Sequence, residues 1–298
     1  MNGIIIIDKE QDFTSFDVVA VVRRTLHTKK VGHCGTLDPN ATGVLPVLVG
    51  NATKAQDIIP NHDKSYVAEF KFGYSSDTLD VWGEVKEEKT PFITKDMLEK
   101  TVKNFVGEQM QVPPMYSAIQ KDGVRLYELA RQGIEIEREA RKITIYSCEL
   151  LSFDEEKQEG KIAVSCSKGT YIRTLCHDIG LKLGCFATMV SLERTRVAGF
   201  TVENAHKLSE IENYVKDGKL DNMLTKTEEM FELMSVRVAP PYEKLLWNGN
   251  PIYLNQIVER IRIGDKEQVK VYAGDRFCAI YQCDEARNIL KPVKMFLE

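Results

Sequence analysis

The chain has 298 residues, a formal net charge of −4, and 43% hydrophobic against 28% charged residues. That balance describes a globular protein able to bury a sizeable core, and it argues against indiscriminate nucleic-acid binding, which needs a basic chain. No apolar run approaches the ~18 residues that span a bilayer. The run Ile4 to Ile7 ends at Asp8-Lys9, so a cytoplasmic protein without membrane contact is expected. The seven cysteines include no CxxC pair, which points to reduced thiols and away from a zinc site.

Gly3-Ile4-Ile5-Ile6-Ile7-Asp8-Lys9 is β-branched without alternation and predicts a strand buried on both faces. Thr14, three before Asp17, has the spacing of a capping box. The helix it opens carries Val18, Val19, Val22 and Leu26 on its apolar side. Arg23, Arg24, Lys29 and Lys30 cluster at its C-terminal end. They suit the helix dipole there, or phosphate contact.

The stretch Gly32-His33-Cys34-Gly35-Thr36-Leu37-Asp38-Pro39-Asn40-Ala41-Thr42-Gly43-Val44-Leu45-Pro46 packs glycines, prolines, a histidine and an aspartate between two apolar runs. Pro39 biases Asp38 toward an extended backbone. A stiffly held carboxylate suits a nucleophile or base; Asp-Pro is also an ordinary turn starter.

Lys64 to Gly73 alternates and predicts a strand with Tyr66, Ala68, Phe70 and Phe72 on one face. Thr94 opens a helix carrying Leu98, Val102 and Phe105. Val112 to Tyr116 is a proline-stiffened connector, followed by a short helix over 124–132. Lys142 to Phe153 and Lys161 to Cys166 read as strands. Ser167-Lys168-Gly169-Thr170-Tyr171-Ile172-Arg173 runs from a strand into a helix, with Tyr171 and Arg173 at the junction, where sites are commonly built. The cations between Lys161 and Arg196 read individually as solvated surface charge. Glu203 to Met234 is polar, acidic and read as helical. A boundary near Ser235 divides residues 1–235 from a small all-β module over 236–298.

These stretches together resemble the TruB family of tRNA pseudouridine synthases along nearly the whole chain. The resemblance is carried by the Gly32–Pro39 loop, Lys64-Ser65-Tyr66, Asp77-Thr78-Leu79-Asp80, Pro113-Pro114-Met115-Tyr116-Ser117-Ala118, Gly169-Thr170-Tyr171-Ile172-Arg173 and Leu192-Glu193-Arg194-Thr195. It implies an α+β fold: a mixed, largely antiparallel sheet flanked by helices, then a small PUA-like RNA-binding module. It also implies isomerisation of a flipped-out T-loop uridine of tRNA, position 55, to pseudouridine. No electrons or external groups are exchanged, so no cofactor and no metal are expected.

By the same resemblance Asp38 is the catalytic carboxylate and Arg173 its guanidinium partner. Tyr66 stacks on the base, Tyr171 and Leu192 line the pocket, and His33 helps open the RNA. The implied partner is tRNA, met by a monomer. The family's early Lys-Pro is Lys9-Glu10 here, which leaves Lys9 as a strand-end residue; its Leu-Arg-Arg-Thr is Leu192-Glu193-Arg194-Thr195. Two other classes compete: a non-catalytic RNA-binding or tRNA-folding protein on this scaffold, and an aspartate-nucleophile hydrolase. The second lacks the metal-binding carboxylates that phosphoryl chemistry uses.

Overall fold

The computed structural model describes residues 1–59 and 63–297. Its centre is one large mixed sheet whose principal strands run, edge to edge, Gly3–Lys9, Thr42–Val49, Ala187–Val197, Lys64–Phe72, Glu159–Cys166, Arg141–Asp154 and Gly107–Gln111. All of these neighbours pair antiparallel except Thr42–Val49 with Ala187–Val197, which run parallel. This is the expected α+β architecture.

Gly3–Lys9 is buried on both faces, as its unbroken isoleucines require. Lys64–Phe72 buries Tyr66, Ala68, Phe70 and Phe72 on one face, as its alternation predicts. The helix Ser15–Thr25 begins with the capping box: the Thr14 hydroxyl accepts from the Asp17 N–H, and Asp17 accepts from the Thr14 N–H. Val18, Val19 and Val22 pack into the main core. The helix Ile172–Lys182 starts one residue after Tyr171, at the junction read from the sequence.

Two expectations need correction. Residues 203–234 are not one helical segment. Only Glu210–Lys216 is α-helical, and His206–Lys207 and Leu224–Thr225 instead add short pairings to the Gly3–Lys9 strand. That strand would otherwise present an unpaired edge. The second concerns Leu192-Glu193-Arg194-Thr195, which lies in the middle of the central strand Ala187–Val197, so Arg194 is not surface charge but 0% exposed.

A second sheet orders the strands Met234–Val238, Gln268–Ala273, Arg276–Asp284, Ile289–Met295 and Ile252–Tyr253. Its Ile280 and Phe296 join Ile4, Val44, Leu48 and Phe231 in one apolar cluster. The Asn51 amide donates to the carbonyls of Phe296 and Leu297. The two sheets therefore meet at the Gly3–Lys9 and Thr42–Val49 strands. No helix among the described residues is long and apolar enough to cross a membrane.

Candidate active site

The turn bearing Asp38 is fixed carbonyl by carbonyl. Arg194 donates from Nη2 to Gly35 O at 2.9 Å and from Nη1 to Thr36 O at 3.4 Å. The Ser15 hydroxyl accepts from Leu37 N at 3.0 Å and donates to Leu37 O at 3.3 Å. Asp38 O accepts from Ala41 N at 3.1 Å, and Pro39 O from Lys9 Nζ at 2.8 Å. Every backbone acceptor from 35 to 39 thus has a donor. A turn satisfied in this way gains nothing by moving.

Arg194 can do this because of its place in the sheet. It pairs with Tyr66 on one side and Gly43 on the other, and its Nε donates to Val44 O at 2.8 Å. A Cβ at Gly43 would lie 2.2 Å from the Arg194 carbonyl, and Gly43 has φ +97°, so the chain leaving the Asp38 turn can return to the sheet only through glycine. Burial pulls the Arg194 pKa down, while the Tyr66 phenol, its hydrogen-bond partner, and Asp38 favour its charge.

Lys9 is also 0% exposed. Its ammonium gives all three donors to carbonyls, those of Glu10 at 2.9 Å, Phe13 at 2.7 Å and Pro39 at 2.8 Å. Burial lowers its pKa to about 8, against the opposing pull of Asp38. Lys9 is therefore an interior clamp on the Asp38 turn and not a strand-end charge.

The Asp38 carboxylate is half-exposed at the mouth of this scaffold, 3.1 Å from Arg173 Nε. Arg173 is itself buried and splits its remaining donors. Nη1 reaches Thr78 O at 3.1 Å and Asp80 Oδ2 at 3.5 Å, and Nη2 reaches Tyr116 O at 2.9 Å. Asp80 accepts from the Thr78 hydroxyl at 2.6 Å and from Trp82 N at 3.1 Å; burial nonetheless raises its pKa. One guanidinium thereby ties together three of the stretches singled out in the sequence. A planar fork suits this work as a lysine would not.

Tyr66 is buried, and its phenol is pushed up to about 12 by desolvation, with Asp38 adding to the rise. It is a hydrogen donor at neutral pH, not a phenolate. Tyr171 lies within electrostatic reach of Arg173 and Asp38, its pKa raised first by burial. Its backbone is held at both ends by Gln111, whose Oε1 accepts from Tyr171 N at 2.8 Å and whose Nε2 donates to Tyr171 O at 3.0 Å. Leu192 stands two residues before Arg194, in register with Ala68, and shares the core cluster of Tyr66 and Leu37.

His33 lies at the start of the loop, 8% exposed, with Phe16 edge-on at 5.3 Å between ring centroids. Burial and the nearby Arg194 lower its pKa. The structure thus pairs Asp38 with Arg173 and brings Tyr66 and Tyr171 within electrostatic reach of Asp38, while Leu192 shares the apolar cluster of Tyr66 and His33 packs on Phe16. Lys9, Arg194, Asp80, Ser15 and Gln111 are the supports; reading the sequence placed Asp80 and Arg194 in motifs without a role, left Lys9 at a strand end, and passed over Ser15 and Gln111. No cluster of three His, Cys, Asp or Glu able to hold a metal occurs among the described residues.

This sheet, with a half-exposed aspartate clamped by arginine beside a buried tyrosine, is the architecture of a pseudouridine synthase. The fold matches a chain of a Cbf5-Nop10-Gar1 complex with TM-score 0.74 and 25% identity, over 99% of this chain and 85% of that one. The chain belongs to the TruB family. The family model "TruB family pseudouridylate synthase (N terminal domain)" matches residues 23–172, and "tRNA pseudouridylate synthase B C-terminal domain" matches residues 173–232. A tRNA pseudouridine synthase B of Clostridium tetani is 43% identical over 298 residues, all of both chains. Another, of Clostridium perfringens, is 49% identical over 258 residues, 86% of each.

Proposed function

We propose that the chain isomerises one uridine in the T-loop arm of tRNA, position 55, to pseudouridine, with Asp38 as the catalytic carboxylate. The observation that carries this reading is the Asp38–Arg173 ion pair at 3.1 Å on a turn whose backbone is held throughout. A positioned carboxylate of fixed geometry is what breaking and remaking a bond at one sugar carbon requires. The uridine is flipped from the folded loop, at a cost of a few kcal/mol that stacking must offset. Tyr66 receives the base and Tyr171 and Leu192 line its pocket; His33 keeps the RNA open.

Residues 236–298 form a separate PUA-like RNA-binding module, and the protein acts in the cytoplasm as a monomer. A protein that only binds or folds RNA would have no use for a carboxylate clamped in this way. The test is to map pseudouridine in unmodified tRNA incubated with and without the protein. The reading expects one new site in the T-loop; tRNA left unmodified by folded protein contradicts it.

A further inference from the structure

The helix Ser15–Thr25 turns one stripe to the core with Val18, Val19 and Val22 buried. Its opposite face carries Phe16, Ala20 and Arg24, all exposed. These residues are four apart, so they lie one above another. Phe16 is 68% exposed. It lies outside the main apolar cluster, so most of this large ring faces water. Its one ring contact among the described residues is His33, at 5.3 Å and 88°.

The Nδ1 of His33 is buried and has no hydrogen-bond partner among the described residues. The Phe16 ring packs edge-on against this imidazole. Ser15, the residue before Phe16, is bonded to Leu37, the residue before Asp38. The first turn of the helix is thus tied to the Asp38 turn. At its far end, about 12 Å along the axis, Arg24 makes no ion pair among the described residues, whereas Arg23 donates to Val31 O at 2.8 Å.

We propose that this face is an RNA-contact strip, on which Phe16 stacks against a substrate nucleobase beside the reacting uridine and Arg24 pairs with a phosphate further along the strand. The inference rests on the reading of the chain as an RNA-modifying enzyme. Aromatic faces accept any base, and the small Ala20 between the two leaves room for a backbone to pass. In a chain of net charge −4 such a local cation matters for an anionic ligand.

The experiment measures binding of unmodified T-arm stem-loop RNA to wild type, Phe16→Ala, Phe16→Trp and Arg24→Ala. The RNAs are the parent and a set carrying single abasic positions. Phe16→Ala weakens binding roughly five- to a hundredfold, the range expected for loss of one stacked base. Phe16→Trp restores it, and thermal midpoints stay level because the ring is exposed. With one abasic RNA the Phe16→Ala penalty vanishes, which identifies the stacked base. Arg24→Ala lowers the salt slope of log K by about 1.

Wild-type affinity in Phe16→Ala, or an equal penalty on every abasic RNA, overturns the stacking. An unchanged slope in Arg24→Ala overturns the phosphate contact. A wild type that forms no pseudouridine while these binding losses persist defeats the enzyme reading alone. An active wild type without them defeats the strip alone.

Discussion

Replacing Lys9 by Met removes a buried cation from under the Asp38 turn while keeping a similar volume. Three carbonyls lose their donor, those of Glu10, Phe13 and Pro39. Each charge-assisted bond is worth about 1.5–3 kcal/mol. Relief from burying an ammonium, several kcal/mol, offsets much of that sum. The net loss is about 2–4 kcal/mol, which for a chain of this size lowers the thermal midpoint by about 3–6 °C.

The pH dependence is specific to the lysine. Its folded-state pKa of about 8 lies below the unfolded value of 10.5. Between those values the unfolded chain holds more protons, so the wild-type fold gains stability as pH rises through that window. The variant lacks this gain, and its deficit therefore widens from pH 8 toward pH 10. Urea melts of both proteins at pH 7, 8, 9 and 10 measure it. A variant as stable as wild type, or a deficit that stays flat with pH, refutes the interior clamp.

Arg173→Lys keeps a charge but cannot reach Asp38, Asp80, Thr78 O and Tyr116 O together; single-turnover rates fall by about a hundredfold, while tRNA affinity measured alongside changes little. Gln111→Leu leaves the Tyr171 N–H and C=O unpaired and costs about 2–4 kcal/mol, read as a lower urea midpoint at unchanged slope. With its phenol pushed up to about 12, Tyr66 stays protonated through the alkaline range. Wild type and Tyr66→Phe therefore show the same alkaline limb in pH–rate profiles up to pH 10, whatever their relative rates.

Much of the scaffold was legible because its signals are local. The Gly3–Lys9 run, the alternation from Tyr66 to Phe72, the Thr14 capping box and the junction at Tyr171 each depend on residues a few positions apart. The Asp38 turn was legible as a stiff loop for the same reason. The supports beneath it were not, because their burial is created by pairing across the chain.

Arg194 reaches Val44 over 150 positions and Lys9 reaches Pro39 over 30. A cation on a polar stretch reads as surface until a partner strand covers it. One signal was present: Leu192, Arg194 and Val197 bury in near alternation on the central strand, a pattern that places an arginine where a core residue belongs. Residues 203–234 misled in the opposite sense. Their acidic composition suits helix, but the exposed edge of Gly3–Lys9 takes up two short pieces of them as strand. Tertiary demand overrides propensity there.

The sharpest test is a single-turnover assay of Asp38→Asn on unmodified tRNA, paired with its binding isotherm. The arrangement around Arg173 predicts tRNA bound as by wild type and no pseudouridine formed. Product appearing at the wild-type rate would remove Asp38 from the chemistry.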